Sequence, residues 1–87
     1  MLRDIIIDDE PESLQAVAGQ IKMYCPSVKI VATCNGAKSG LQSIAELQPD
    51  LIFLDIIMPE MTGLEMLAQL TEINFGIIFI TAFNEYA

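Results

Sequence analysis

Positive charge is scarce in this chain: 4 Lys and Arg stand against 12 Asp and Glu among 87 residues, a formal net charge of −8. Direct binding of nucleic acid or of an anionic membrane surface relies on basic patches, so the composition argues against both, and the acidity favours cations and basic partners. Cysteine is nearly absent. Cys25 and Cys34 lack metal-site spacing and are too few for a disulfide framework, which reads them as buried thiols of a cytoplasmic protein. No apolar run approaches the roughly 20 residues of a membrane span. Met1-Leu2-Arg3-Asp4 leads straight into a strand, without the features of a secretory leader. Neither a Walker-type phosphate loop nor G-x-G-x-x-G occurs, which argues against nucleotide binding. These absences predict a soluble, non-secreted protein.

What the chain has in quantity is apolar surface, 53% hydrophobic residues with 18% charged, in a length that allows one domain, residues 1–87. Strand and helix patterns alternate. Ile5-Ile6-Ile7 and Leu51-Ile52-Phe53-Leu54 read as strands buried on both faces, the kind found in parallel sheets covered by helices. Pro11 opens a helix that carries Leu14, Val17, Ala18, Ile21 and Tyr24 or Cys25, and Pro26 ends it. Val28 to Cys34 reads as a second strand. Asn35-Gly36 turns into a helix bearing Ala37, Leu41, Ile44, Ala45 and Leu47, which Pro49-Asp50 stops. After the third strand comes a helix with Leu64, Leu67, Ala68 and Leu70, and then a fourth strand, Ile77 to Ile80. Amphipathic helices of about ten to fifteen residues between strands predict βαβ units and a parallel sheet.

Both apolar runs break off at carboxylates. Ile7 is followed by Asp8-Asp9-Glu10, and Leu54 by Asp55. If the two strands are parallel neighbours, their carboxyl ends form one edge, where open α/β sheets bind ligands. Three carboxylates gathered there repel one another unless protons or a cation intervene. An oxygen-only set of this kind suits a hard divalent ion, Mg²⁺ above all. Pro59 stiffens the loop beside Asp55, and Gly63 allows a backbone geometry or a close approach that a Cβ would block. Thr81 ends the fourth strand and brings a hydroxyl to the same rim.

Taken together, Ile7-Asp8-Asp9-Glu10-Pro11, Leu54-Asp55-Ile56-Ile57-Met58-Pro59-Glu60-Met61-Thr62-Gly63 and Ile80-Thr81-Ala82 resemble the receiver domain of two-component response regulators, over Arg3 to Ala87. The resemblance implies a flavodoxin-like, doubly wound α/β fold with strands in the order 2-1-3-4. It implies that Asp55 accepts a phosphoryl group from a sensor histidine kinase as an acyl phosphate. Asp9, Asp55 and the backbone carbonyl of Ile57 match the positions that hold Mg²⁺, with Asp8 acting mainly through water. Thr81 and the backbone N–H of Ala82 match the groups that contact the phosphoryl oxygens. Such a domain is a phosphoacceptor rather than an enzyme, catalysing at most its own phosphorylation and dephosphorylation.

The family pattern also includes a fifth strand with a lysine and a fifth helix, which these 87 residues do not match, so the resemblance implies a domain incomplete at its C-terminus. Lys22, Lys29 and Lys38 sit in the wrong elements to replace that lysine. Phe83-Asn84-Glu85-Tyr86-Ala87 is similar to receivers that precede a LytTR-type DNA-binding domain. Without a fifth strand, Ile77 to Ile80 is an uncharged edge that invites pairing with a second chain, so self-association is expected. The competing reading is a truncated, non-phosphorylated interaction or dimerisation module. A hydrolase of the haloacid dehalogenase type wants an acid two residues after its nucleophile, where this chain has Ile57. Other acids read more plainly. Glu10 and Glu12 are first-turn charges favoured by the helix dipole, and Asp50 is a turn residue. Met58, Met61 and Met66 are packing or loop residues.

Overall fold

The structure, a computed structural model, describes residues 1–80; Thr81, Ala82 and the 83–87 segment that carries the likeness to LytTR-linked receivers lie outside the described residues. Its elements run β1 (Leu2–Ile7), α1 (Pro11–Tyr24), β2 (Val28–Cys34), α2 (Ala37–Leu47), β3 (Leu51–Asp55), α3 (Gly63–Ala68) and β4 (Gly76–Ile80). All strand pairings are parallel, in the order β2-β1-β3-β4. The predicted alternation and strand order are thus borne out. No helix among the described residues is long and apolar enough to cross a membrane.

Side chains alternate across the sheet, which sorts the apolar runs into two layers. Ile5, Ile7, Ile52 and Leu54 cluster with Cys34, Ala37, Ile44, Met58 and Met66 on the side covered by α2 and α3. Gly40 lets α2 press down here: a Cβ at that position would stand 2.8 Å from the Ile7 side chain. Ile6 and Asp4 point the other way, toward α1, whose one buried residue is Ile21. Only β1 meets the expectation of burial on both faces. In β3, buried Ile52 and Leu54 alternate with half-buried neighbours, and in β4, Ile78 and Phe79 are exposed. The physical reason is coverage: among the described residues only α1 lies on the second face, and it packs on β1 and β2.

Further expectations shift. Cys34 is buried as expected, but Cys25 is only half-buried where α1 ends, and Tyr24 is exposed. The third helix is 6 residues long rather than ten or more, and its phase differs: Met66 is fully buried while Leu64 and Ala68 face solvent. Thr62 sets that phase by a capping box, its Oγ1 accepting the Glu65 N–H at 3.1 Å while Glu65 Oε1 accepts the Thr62 N–H at 2.8 Å. Arg3 ties β1 to the end of α2. Its Nη1 donates to the carbonyls of Leu47 at 2.7 Å and Gln48 at 3.2 Å, the orphan acceptors that a cation at a helix C-terminus satisfies. The Arg3 N–H donates to Asp50 Oδ2 at 2.9 Å, which confirms Asp50 as a structural acid at the strand entrance.

Candidate metal and phosphoryl site

Asp55 is the last residue of β3, and Asp8 follows directly on β1. Ile7 pairs with Leu54 in the parallel register, so the two chains leave the sheet side by side. Asp8, Asp9 and Asp55 consequently converge, each offering a carboxylate oxygen within 4.8 Å of the others. Their surroundings differ. Asp8 is buried, with Oδ1 accepting the Glu10 N–H at 3.0 Å and its own N–H donating to the Cys34 carbonyl at 3.0 Å. Asp9 and Asp55 are partly open to solvent.

The loop after β3 is folded back onto the acceptor. Asp55 Oδ1 accepts the Ile57 N–H at 3.2 Å, the Ile56 N–H donates to the Ile80 carbonyl at 3.3 Å, and the Gly63 N–H donates to the Ile56 carbonyl at 2.7 Å. Gly63 is required here for closeness rather than for an unusual backbone angle, since no glycine among the described residues has positive φ. A Cβ on it would lie 2.5 Å from the Asp55 carbonyl oxygen and 3.0 Å from the Leu54 side chain. Met58 fills the core beneath the loop, in line with its reading as a packing residue.

Charge is crowded in this pocket. Asp55 is pushed up to about 7, chiefly by burial; the Ile57 N–H opposes that rise, while the negative charge of Asp8 and side-chain contacts with Asp9 and Asp8 add to it. Asp8 Oδ2 is buried and has no hydrogen-bond partner among the described residues. A buried, unpaired carboxylate oxygen is costly, and a cation between the three acids would satisfy it. The donor set is all carboxylate, at the open end of two strands, which fits a hard ion such as Mg²⁺. Ile57 is exposed and sits in the loop that its N–H helps to anchor. A cavity of about 500 Å³, lined by Ile44, Gln48, Asp50, Leu70 and Phe75 among others, opens at the opposite edge of the sheet and contains none of these acids.

The sequence model of the response regulator receiver domain matches residues 5–87. The chain belongs to that family. Its receiver is 40% identical over 88 residues to an uncharacterised response regulatory protein of Yersinia pestis, and 39% identical over 88 residues to the transcriptional regulatory protein BtsR of Escherichia coli K12. Both alignments take in 100% of this chain, against 37% and 36% of the relatives, so the chain spans little more than a third of their length. Among solved structures, a LuxR-family DNA-binding response regulator from Staphylococcus aureus superposes with a TM-score of 0.85 at 32% identity, over 97% of this chain and 71% of that one. The response regulator domain of Thermotoga maritima CheB gives a TM-score of 0.79 at 25% identity, over 94% of this chain and 61% of that one. The receiver fold and its place in two-component systems are therefore established. Receivers generally bind Mg²⁺ at an acidic pocket and interact with histidine kinases, and Asp8, Asp9 and Asp55 form an acidic group here.

Sequence reasoning found the three acids by the strand ends that carry them. It missed Asp4, a fully buried acid inside β1, and the pairing of Thr62 with Glu65. Threonine three residues before glutamate was a readable signal for the latter. For Asp4 the signal was an acid sharing the inward phase of Ile6.

Proposed function

We propose that Asp55 is the phosphoacceptor of this receiver, taking a phosphoryl group from a phosphohistidine of a sensor histidine kinase. The observation that carries the reading is the convergence of Asp8, Asp9 and Asp55 at the carboxyl ends of β1 and β3. An Asp55 carboxylate oxygen attacks phosphorus; the new O–P bond forms as the N–P bond to the donor histidine breaks, and the imidazole leaves with the electron pair. Hydrolysis of the acyl phosphate returns the carboxylate and inorganic phosphate. Such transfer is governed by position and charge more than by covalent help from side chains. The Ile57 N–H holds the Asp55 carboxylate in a fixed direction.

Asp8, Asp9, Asp55 and the backbone carbonyl of Ile57 would hold Mg²⁺. When bound, Mg²⁺ supplies the positive charge that offsets the build-up on the transferred group. Thr81 and the Ala82 N–H take the phosphoryl oxygens in this reading. Its support is register: Ile80, which precedes Thr81 in the sequence, pairs with Asp55. The domain acts as a switch that is itself modified, not as an enzyme that turns over a separate substrate.

Incubation with Mg²⁺ and acetyl phosphate, followed by intact mass measurement, tests the proposal. A base-labile phosphoryl adduct that disappears in Asp55→Asn is the expected result. No adduct, or an undiminished adduct in that variant, sinks it. A second surface is proposed for self-association, along Ile77 to Ile80. It is favoured by the exposure of Ile78 at 45% and Phe79 at 43% on a strand that is an edge among the described residues.

A further inference from the structure

Among the described residues the buried charged side chains are Asp4 and Asp8, and Asp4 lies outside the acid pocket. It is 0% exposed, it lies inside β1 on the face turned toward α1, and neither carboxylate oxygen has a hydrogen-bond partner among the described residues. The sheet is also irregular beside it. Asp4 pairs with Ile30 but Ile5 pairs with Ala32, so Val31 has no partner on β1 and β2 bulges at this point.

The cover over Asp4 is light. Of the 14 residues of α1 only Ile21 is buried, whereas α2 buries Ala37, Gly40 and Ile44. Gly19, one turn from the end of α1, has nothing within 4 Å of where its Cβ would stand. An interior glycine weakens a helix, and an element with few buried contacts opens locally at low free energy.

No charge nearby compensates the carboxylate. The ionisable groups on α1 are Glu12, Lys22 and Tyr24, all exposed. On β2, Lys29 is exposed. At the β3 entrance Asp50 is engaged with Arg3, whose own guanidinium is spent on the end of α2. Cys25, just past α1, is half-buried. No salt bridge or hydrogen bond reaches the Asp4 carboxyl from any of them among the described residues.

We propose that Asp4 is a proton-operated wedge under α1: neutral, it lets the helix lie on the sheet, and ionised, it reaches water by lifting the C-terminal half of the helix. Burial pushes its carboxyl up to about 7 against the smaller opposing pull of the nearby Ile5 N–H, which makes no hydrogen bond to it, and this puts the change within the range of neutral pH. The lifted state binds the proton at the ordinary carboxylate value of 3.8, so lifting becomes more favourable as pH rises between that value and about 7, and levels off above. The inference stands whether or not Asp55 is phosphorylated.

Amide hydrogen exchange of the 87-residue chain between about pH 5 and pH 8 tests it, in an Asp55→Asn background so that the acid pocket does not titrate in the same window. Protection of the Val17–Tyr24 amides, corrected for intrinsic exchange, is expected to fall up to about tenfold per pH unit from pH 5 to 7 and then flatten. Protection in α2 should stay level. Adding Asp4→Asn should abolish the pH dependence in α1 while leaving the fold intact. Carboxyl-carbon NMR of Asp4 in the Asp55→Asn protein that keeps Asp4 reads its titration directly. Titration near 4, or α1 protection that follows pH no differently from α2, overturns the proposal.

Discussion

At the level of single residues, the acid pocket sets two opposing demands. Folding brings Asp8, Asp9 and Asp55 together, and their repulsion is relieved by protons or by a cation. Binding of Mg²⁺ to the folded form alone stabilises it by mass action, by about 2.7 kcal/mol at a hundredfold excess over Kd. In a domain of this size that corresponds to a rise in melting temperature of roughly 10 °C or more. Asp9→Ala should remove most of that rise; a melting curve that still responds fully would place the ion elsewhere. The proton side has a definite sign. Asp55 is raised from 3.8 to about 7, so the folded state holds a proton that the unfolded state has released. Its contribution to stability is complete below pH 4 and is lost as pH climbs through 7. In EDTA above pH 7, Asp55→Asn should therefore melt higher than the parent and gain less from Mg²⁺. Gly63→Ala is expected to act sterically, by forcing a methyl group against the Asp55 carbonyl, 2.5 Å away. Overpacking of this kind costs roughly 1–3 kcal/mol, and urea unfolding together with loss of the phosphoryl adduct would register it.

At the level of elements, α3 shows where sequence pattern gives out. Its apolar residues Leu64, Leu67, Ala68 and Leu70 suggest one helical face, but the helix is less than two turns long, too short for periodicity to define a face. What orients it is local: the capping box at Thr62 and the close approach of Gly63 to β3, which together turn Met66 inward and Leu64 out. Thr62→Ala should cost about 1 kcal/mol in urea unfolding, as loss of an N-cap usually does. Glu65→Gln should keep most of that stability, since its amide oxygen can still accept the Thr62 N–H. The strands were legible for a better reason. Ile5-Ile6-Ile7 and Leu51 to Leu54 are short apolar runs set between helical patterns, which reads as strands of a parallel sheet although only β1 is covered on both faces, and the acids that end them mark its functional edge. For Asp4 the only readable signal was its shared phase with Ile6, and it is outweighed because an acid near the start of a strand ordinarily reads as exposed. Its enclosure shows only in the folded structure, where Asp4 is 0% exposed inside β1.

At the scale of the whole molecule, the sheet is covered unevenly while the chain carries a net charge of −8. The described part of β4 presents Ile78 and Phe79 to solvent and pairs only with β3. Unpaired N–H and C=O groups along an uncharged edge favour addition of a strand from a second copy. Net negative charge opposes it, since two copies repel as they approach. These two terms respond differently to salt. Screening shortens the reach of the repulsion to about 8 Å at physiological ionic strength and leaves edge pairing and apolar contact in place. Self-association measured by light scattering at micromolar concentration should therefore strengthen as sodium chloride is raised. Ile78→Lys puts a charge on the exposed edge and should leave a monomer at every salt concentration, with the Asp55 pocket unaffected. A parent protein that stays monomeric and monodisperse throughout would show that the edge is not the contact, and a variant that still associates would assign it to the open face beside α1.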